Sequence, residues 1–190
     1  MARIGIYGGT FDPIHAAHLI LAREALECLQ LRRIVFVPAA ISPHKLNQKP
    51  TPAAVRLEMV QAATRDDADF AIDDRELRRP PPSFAIDTIE EFLREDPDLE
   101  IYYLVGSDNL PRLDTWHRFD ELRKLVKFVV LNRGTTGVTE STFTTIRRQI
   151  DISATEIRNR VATGRSIRYL VPPAVEEIIR CHKLYQEHTR

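Results

Sequence analysis

The stretch "IYGGTFDPIHAAH" (residues 6–18) decides how the rest of the chain is read. It joins an apolar run, Ile4 to Tyr7, to a segment of helical spacing. Between Ala16 and Leu29, the residues Leu19, Ala22, Leu26 and Leu29 share one face. A buried strand thus turns through Gly8 and Gly9 directly into a helix. The two glycines let backbone approach a ligand closely and can adopt positive φ. Asp12-Pro13 is expected to start the helix, with Asp12 offering an N-cap oxygen. His15 and His18 then lie on the same side of the helix start, because residues three apart are neighbours. Free N–H groups at a helix N-terminus make an anion site. Two imidazoles add directed donors, and the combination suits phosphate groups. Taken as a bare pair, two histidines are more often satisfied surface residues. A zinc site shows no third ligand at standard spacing, and H-x-x-x-H is the usual helical pair.

Working outward, apolar runs alternate with helical patterns. Strands are expected at 4–7, 33–38, 69–73, 101–106, 127–133 and, briefly, 149–151. Helices are expected at 16–29, at 52–64, from a Ser83 cap to Glu95, at 153–163 before a C-terminal Gly164, and at 172–188. The Thr-rich stretch 135–145 reads as a flexible surface loop. Near-continuous apolar strands between helices predict an α/β fold. It would be a Rossmann-like doubly wound parallel sheet with helices on both faces and a small C-terminal helical part. Ligands bind past the carboxyl ends of such strands. The segments after Tyr7, Val37, Val105 and Asp151 are therefore expected to open onto one crevice.

Composition narrows the class. The 190 residues fit a single domain, 1–190, large enough to bury a core. Hydrophobic residues make up 43% and charged residues 28%, which is a globular rather than a disordered balance. Basic and acidic residues both number 27, so no net field favours nucleic acid or a membrane surface. Cys28 and Cys181 fit no metal or redox spacing and read as free thiols in a reducing compartment. The first strand begins within three residues, and no apolar run would span a bilayer. A cytoplasmic protein is expected, with no nucleic-acid or membrane partner; a homo-oligomer is compatible.

A second constellation is "ISATEIR" (152–158). Ser153 and Glu156 have capping-box spacing, and Arg158 falls near Ala154 and Thr155 on the helical wheel. The segment is either a well-capped helix or a source of hydroxyls and a guanidinium for polyphosphate oxygens. Lys45 of "SPHK" is a solvated charge or a cation that closes over phosphates. In "GSDNL" (106–110), Gly106 ends a strand, and Asp108 either accepts from ribose hydroxyls or caps the next short helix. Trp116, the sole tryptophan, is a core residue or a stacking platform for a planar ring. There is no P-loop, no G-x-G-x-x-G after a strand and no G-x-S-x-G elbow. A phosphate-binding crevice without an evident nucleophile points to direct transfer between bound substrates.

"GGTFDPIHAAH" together with "ISATEIR" resembles the nucleotidyltransferase superfamily, with its H-x-x-H and I-S-x-T-x-[IV]-R signatures. The stretches "ELRRPPPSFAIDT" (76–88), "GSDNL", "DTWH" (114–117), "VVLNR" (129–133) and "LVPPAVEEII" (170–179) resemble one branch, the bacterial nicotinate-nucleotide adenylyltransferases of NAD biosynthesis. Only 134–150 lacks a match. The resemblance implies that ATP and nicotinic acid mononucleotide, with Mg²⁺, give nicotinic acid adenine dinucleotide and pyrophosphate. It implies ATP binding by Gly8, Gly9, Thr10, Phe11, His15, His18, Gly106, Asp108, Ser153, Thr155 and Arg158. It makes His15, His18, Lys45 and Arg158 the catalytic set. It places Ser83, Phe84, Ala85, Trp116, His117 and Arg133, with Lys45, around the mononucleotide. Trp116 would stack on its ring, and backbone amides near Ala85 and His117 would meet its carboxylate. The family often reads S-Y-T where this chain has Ser83-Phe84-Ala85, and G-A-D where it has Gly106-Ser107-Asp108. The alternatives are a sibling acting on nicotinamide mononucleotide or phosphopantetheine, a cytidylyltransferase, and a non-catalytic nucleotide sensor.

Overall fold

The computed structural model describes residues 2–41, 50–134 and 143–186. The strands are β1 (Arg3–Gly9), β2 (Arg33–Pro38), β3 (Phe70–Ile72), β4 (Glu100–Gly106), β5 (Lys127–Asn132) and β6 (Thr144–Arg147). The helices are α1 (Ala16–Cys28), α2 (Ala53–Thr64), α3 (Arg75–Arg78), α4 (Ala85–Glu95), α5 (Phe119–Leu125), α6 (Ala154–Ala162) and α7 (Pro173–Cys181). A 3₁₀ helix, Ser107–Thr115, follows β4 directly.

The strands form one sheet in the order β3-β2-β1-β4-β5-β6, and every neighbouring pair is parallel. The chain runs outward from β1 to β3, then crosses back to β4 and runs outward the other way. The loops leaving β1 and β4 therefore diverge, which opens a crevice at their carboxyl ends. The expected doubly wound α/β fold is the one observed.

Alternating strand residues feed two cores. Phe36, Leu104 and Leu131 pack with Leu21 of α1, Met59 of α2, Ile157 of α6 and Val175 of α7. Val37, Val105 and Val130 pack on the other face with Ile86 of α4 and Leu122 of α5. Burial on both faces explains why β1, β2, β4 and β5 are apolar runs rather than alternating ones. The edge strands β3 and β6 have only 3 and 4 residues, and so present little unpaired backbone.

Several expectations are corrected. The last strand lies at 144–147 and not at 149–151, because Thr144–Arg147 extends the sheet along β5 in register. The Thr-rich stretch thus ends in a strand, while residues 135–142 lie outside the described residues. The terminal helix stops at Cys181 rather than at 188; Lys183 and Tyr185 have positive φ, which a continuing helix does not permit. Asp12 does not cap α1, whose N-cap is His15. Ser83 does not cap α4; its hydroxyl accepts a hydrogen bond from the Ala40 N–H at 3.0 Å, and Phe84 occupies the N-cap. The short helices α3 and α5 carry too few apolar turns to stand out in the sequence pattern. Gly164 follows α6 with φ of 68°, as its place predicted.

Candidate active site

A cavity of about 820 Å³ lies over the carboxyl ends of β1 and β4. Every site residue expected from sequence and described in the structure lines it. Lys45 lies outside the described residues.

One end is built by the turn after β1. A Cβ on Gly8 would collide with the Tyr103 hydroxyl, so glycine lets the backbone lie against the next strand's side chain. Phe11 is buried in the left-handed region at φ 48°, a conformation that persists only when its surroundings fix it. Its ring meets those of Tyr7 and His18 edge-on, at 5.6 and 5.2 Å between centroids. His15 and His18 stack at 3.7 Å, with 26° between ring planes. The His15 backbone N–H donates to His18 Nδ1 at 3.2 Å. Accepting there makes Nε2 the protonated nitrogen of a neutral His18 ring. His15 is wholly buried, and neither of its ring nitrogens has a hydrogen-bond partner among the described residues. Burial, helped by the nearby Arg133 charge, pushes its pKa down to about 3. His15 is therefore neutral near pH 7. A buried polar ring without a protein partner, on a cavity wall, is suited to a ligand.

The second signature completes this end. Ser153 caps α6 by accepting the Glu156 N–H at 3.1 Å. Only that half of the expected capping box is seen, since the Glu156 carboxylate lies 3.9 Å from Arg160. Arg158 donates to Thr155 Oγ1 at 3.1 Å and to the Asp12 carbonyl at 2.8 Å, which draws α6 to the β1 turn. Asp12 gathers further partners: its carboxylate accepts from the Thr51 N–H at 3.1 Å and the Tyr185 hydroxyl at 2.5 Å. Arg133 donates to the Ile152 carbonyl at 3.1 Å and stands 3.7 Å from Asp108, so it lies between the start of α6 and the exit of β4.

Arg56 was not singled out from sequence. Its side chain is buried and donates to the carbonyls of Thr51, Thr10, Ala39 and Ala40 at 2.7 to 3.0 Å. One guanidinium thus pins the turn after β1 to the turn after β2. A usable signal was present: Arg56 falls on the same helical face as Val60 and Thr64, where a charge is out of place.

The other end is assembled from β4, α3, α4 and the 3₁₀ helix. Gly106 ends β4, where a Cβ would collide with the Asp108 carboxylate. Trp116 closes the 3₁₀ helix, half-buried, with its ring edge-on to Tyr103 at 5.8 Å and near Phe128 at 6.4 Å. It is at once an edge of the core and a wall of the cavity. The rings of Phe84 and His117 lie 4.4 Å apart. No side chain caps α4, which leaves its first-turn amides at Ala85 to the cavity. Glu76 of α3 was also not anticipated. It is buried on the cavity wall, and its carboxylate accepts from Thr88 Oγ1 at 2.6 Å. Burial pushes its pKa up to about 7, against the pull of Thr88, Arg79 and Ser83.

The end built from the β1 turn and α6 offers imidazoles, hydroxyls and guanidinium groups, a set suited to an anion. The opposite end offers aromatic faces and free amides. Among the described residues no three His, Cys, Asp or Glu side chains group as metal ligands, and no helix is long and apolar enough to cross a membrane.

Residues 6–160 match the cytidylyltransferase-like family model. A probable nicotinate-nucleotide adenylyltransferase of Exiguobacterium sibiricum is 43% identical, over 96% of this chain and 98% of that protein. A protein of the same name from Geobacillus thermodenitrificans is 42% identical, over 100% of this chain and 88% of its own length. The nicotinic acid mononucleotide adenylyltransferase of Plasmodium falciparum, solved with NaAD, has the same fold: TM-score 0.82 at 19% identity, covering 97% of this chain and 98% of that one. The chain belongs to the cytidylyltransferase-like family and, within it, to the nicotinate-nucleotide adenylyltransferases.

Proposed function

We propose that this cavity transfers the adenylyl group of ATP to nicotinic acid mononucleotide, giving nicotinic acid adenine dinucleotide and pyrophosphate. The observation that carries the reading is the placement of the stacked His15–His18 pair and Arg158 in one cavity with Trp116 and the uncapped start of α4. One end suits polyphosphate and the other a planar ring bearing a carboxylate.

The chemistry asks the protein for positioning and charge stabilisation. The acceptor phosphate oxygen attacks the α-phosphorus of ATP in line, and the bond from that phosphorus to the pyrophosphate oxygen breaks. Negative charge grows on the leaving pyrophosphate. His18, held between Tyr7, Phe11 and His15, points a fixed donor at the phosphates rather than a mobile one, so little reorganisation accompanies the step. Burial favours the neutral form of His15, which suits it to a hydrogen-bonding role. Arg158, with Ser153 and Thr155, holds phosphate oxygens, and Lys45 contributes a further cation. Gly8, Gly9, Thr10 and Phe11 form the floor under the nucleotide, while Gly106 and Asp108 meet the adenosine. Arg133, beside Asp108 and Ile152, serves the phosphate side of the acceptor. Trp116 stacks on the pyridine ring. Ser83, Phe84, Ala85 and His117 frame its carboxylate, so Ala85 needs only its amide and not a side-chain hydroxyl.

The donor set of the phosphate end fits phosphate oxygens rather than a caged cation. Mg²⁺ would enter on the ATP phosphates, keep part of its water shell, and supply charge neutralisation there.

The test is pyrophosphate release with ATP and Mg²⁺, comparing nicotinic acid mononucleotide with its amide at equal concentration. Strong preference for the acid supports the reading. Equal use retains adenylyl transfer but removes the carboxylate site. Release with neither directs attention to phosphopantetheine or cytidylyl acceptors.

A further inference from the structure

Glu76 is the buried carboxylate on the wall of the cavity, 5% exposed, and the mechanism above does not use it. It sits where α3 meets the start of α4. Its Oε1 accepts from Thr88 Oγ1 at 2.6 Å, one turn into α4. The Ser83 hydroxyl also bears on it. Ser83 is in turn fixed to β2's exit, through the Ala40 N–H at 3.0 Å and by donating its own N–H to the Ile41 carbonyl at 3.0 Å. One carboxyl group therefore ties α3 to both flanks of Ser83-Phe84-Ala85. That is the segment whose free amides face the ring-binding end.

Among the described residues, the cation within ion-pair reach of Glu76 is shared with other partners. Arg79 stands 3.9 Å away but donates to Glu91 at 2.8 Å and to Thr88 Oγ1 at 2.5 Å. Arg75, its chain neighbour, is held by Asp73, Glu91 and Glu95. From α4, Glu91 adds negative charge, and from β4 the buried Tyr103 adds a phenol that stays protonated. His117 packs on Phe84 at the mouth of the same end. A second carboxylate placed at the amides of α4 would share this poorly screened corner with Glu76. Two like charges in one such corner oppose one another, and the buried member gives way first by staying neutral. An amide acceptor would meet no such opposition.

We propose that Glu76 is a positioning residue that tunes the preference for an acid over an amide acceptor: its neutral carboxyl fixes the Ser83–Ala85 segment that receives the acid, and its ionised form opposes a second carboxylate beside it. This rests on the acceptor assigned above. The Glu76 carboxyl titrates from about 7, so the preference weakens as pH rises through neutrality.

The experiment measures kcat/KM for nicotinic acid mononucleotide and for its amide, with ATP and Mg²⁺, from about pH 6 to about pH 9. The ratio of the two cancels the titration of the shared phosphate and of ATP. In the wild type the acid-to-amide ratio should fall on the order of tenfold over that range. Glu76→Gln keeps the shape without the charge, and its ratio should stay flat. Glu76→Ala should raise KM for the acid acceptor about tenfold while KM for ATP moves less than about twofold. A falling ratio that persists in Glu76→Gln overturns the proposal, as does a flat wild-type ratio. Equal rises in both KM values for Glu76→Ala would mark a fold-wide role and overturn it too. Should Glu76→Ala not fold, the Glu76→Gln ratio decides alone. Wild-type protein that turns over neither acceptor overturns the assigned reaction, and this proposal with it.

Discussion

The two ends of the cavity are made differently. The phosphate end comes from two short runs of sequence, 8–18 and 152–158, whose residues brace one another through stacked rings and a guanidinium on a carbonyl. The ring-binding end is gathered from β4, α3, α4 and the 3₁₀ helix, and much of it is aromatic edge and open backbone. The difference follows from what each end must hold. Developing charge is stabilised by dipoles that are already in place, so the phosphate end is over-determined around the buried His15 and Phe11. A planar ring with one carboxylate asks for a wall and a pair of amides, which distant segments can supply.

That contrast can be broken first at Arg56, which pins the turn after β1 to the turn after β2. Arg56→Met removes the guanidinium that satisfies four carbonyls and leaves them buried. It should cost on the order of 3–5 kcal/mol in stability, read as a fall in the urea midpoint. A variant of wild-type stability would mean that the two turns hold their places without Arg56. His18→Ala tests the phosphate end alone: kcat should fall about 10²-fold or more with a modest change in KM. An unchanged kcat would remove His18 from the chemistry. Trp116→Ala tests the other end: KM for the mononucleotide should rise while kcat holds, through lost stacking of roughly 1–3 kcal/mol. Equal KM values would make Trp116 a core residue only.

The smallest expected effect is in pH. Folded His15 has its pKa pushed down to about 3, while the unfolded chain titrates in the ordinary imidazole range. As pH falls through that range, the unfolded state takes up a proton that the folded state refuses. Stability is therefore present above it and lost below it, by about 1 kcal/mol near pH 6 and more with further acid. Urea midpoints of wild type and His15→Asn should diverge in this direction, with the variant losing less. Parallel curves would place His15 in solvent rather than in the core.

Local chemistry made the phosphate end legible, because a glycine turn, a histidine pair and a capped helix each announce themselves within a dozen residues. The sheet was legible for the same reason: buried parallel strands are apolar throughout. The rest depended on distance. Asp12 and Ser83 looked like caps because cap residues are recognised locally, but their partners are Thr51, Tyr185 and Ala40. Glu76 and Arg56 gave no motif, since a buried charge is defined by what folds around it. The strand at 144–147 was hidden in a Thr-rich run whose polarity suits an edge position.

Asp12 and Tyr185, which meet at the rim of the phosphate end, are separated by 173 residues. Chains are made from the N-terminus onward, and early segments begin to fold as they emerge. The turn after β1 is therefore synthesised well before the segment that tethers it. Until the segment carrying Tyr185 leaves the ribosome, Asp12 lacks its phenol, and Arg158 has only just arrived to hold its carbonyl. A nascent chain can build most of its sheet before Tyr185 is made, yet the tether at the rim of its nucleotide site forms only once that residue has emerged.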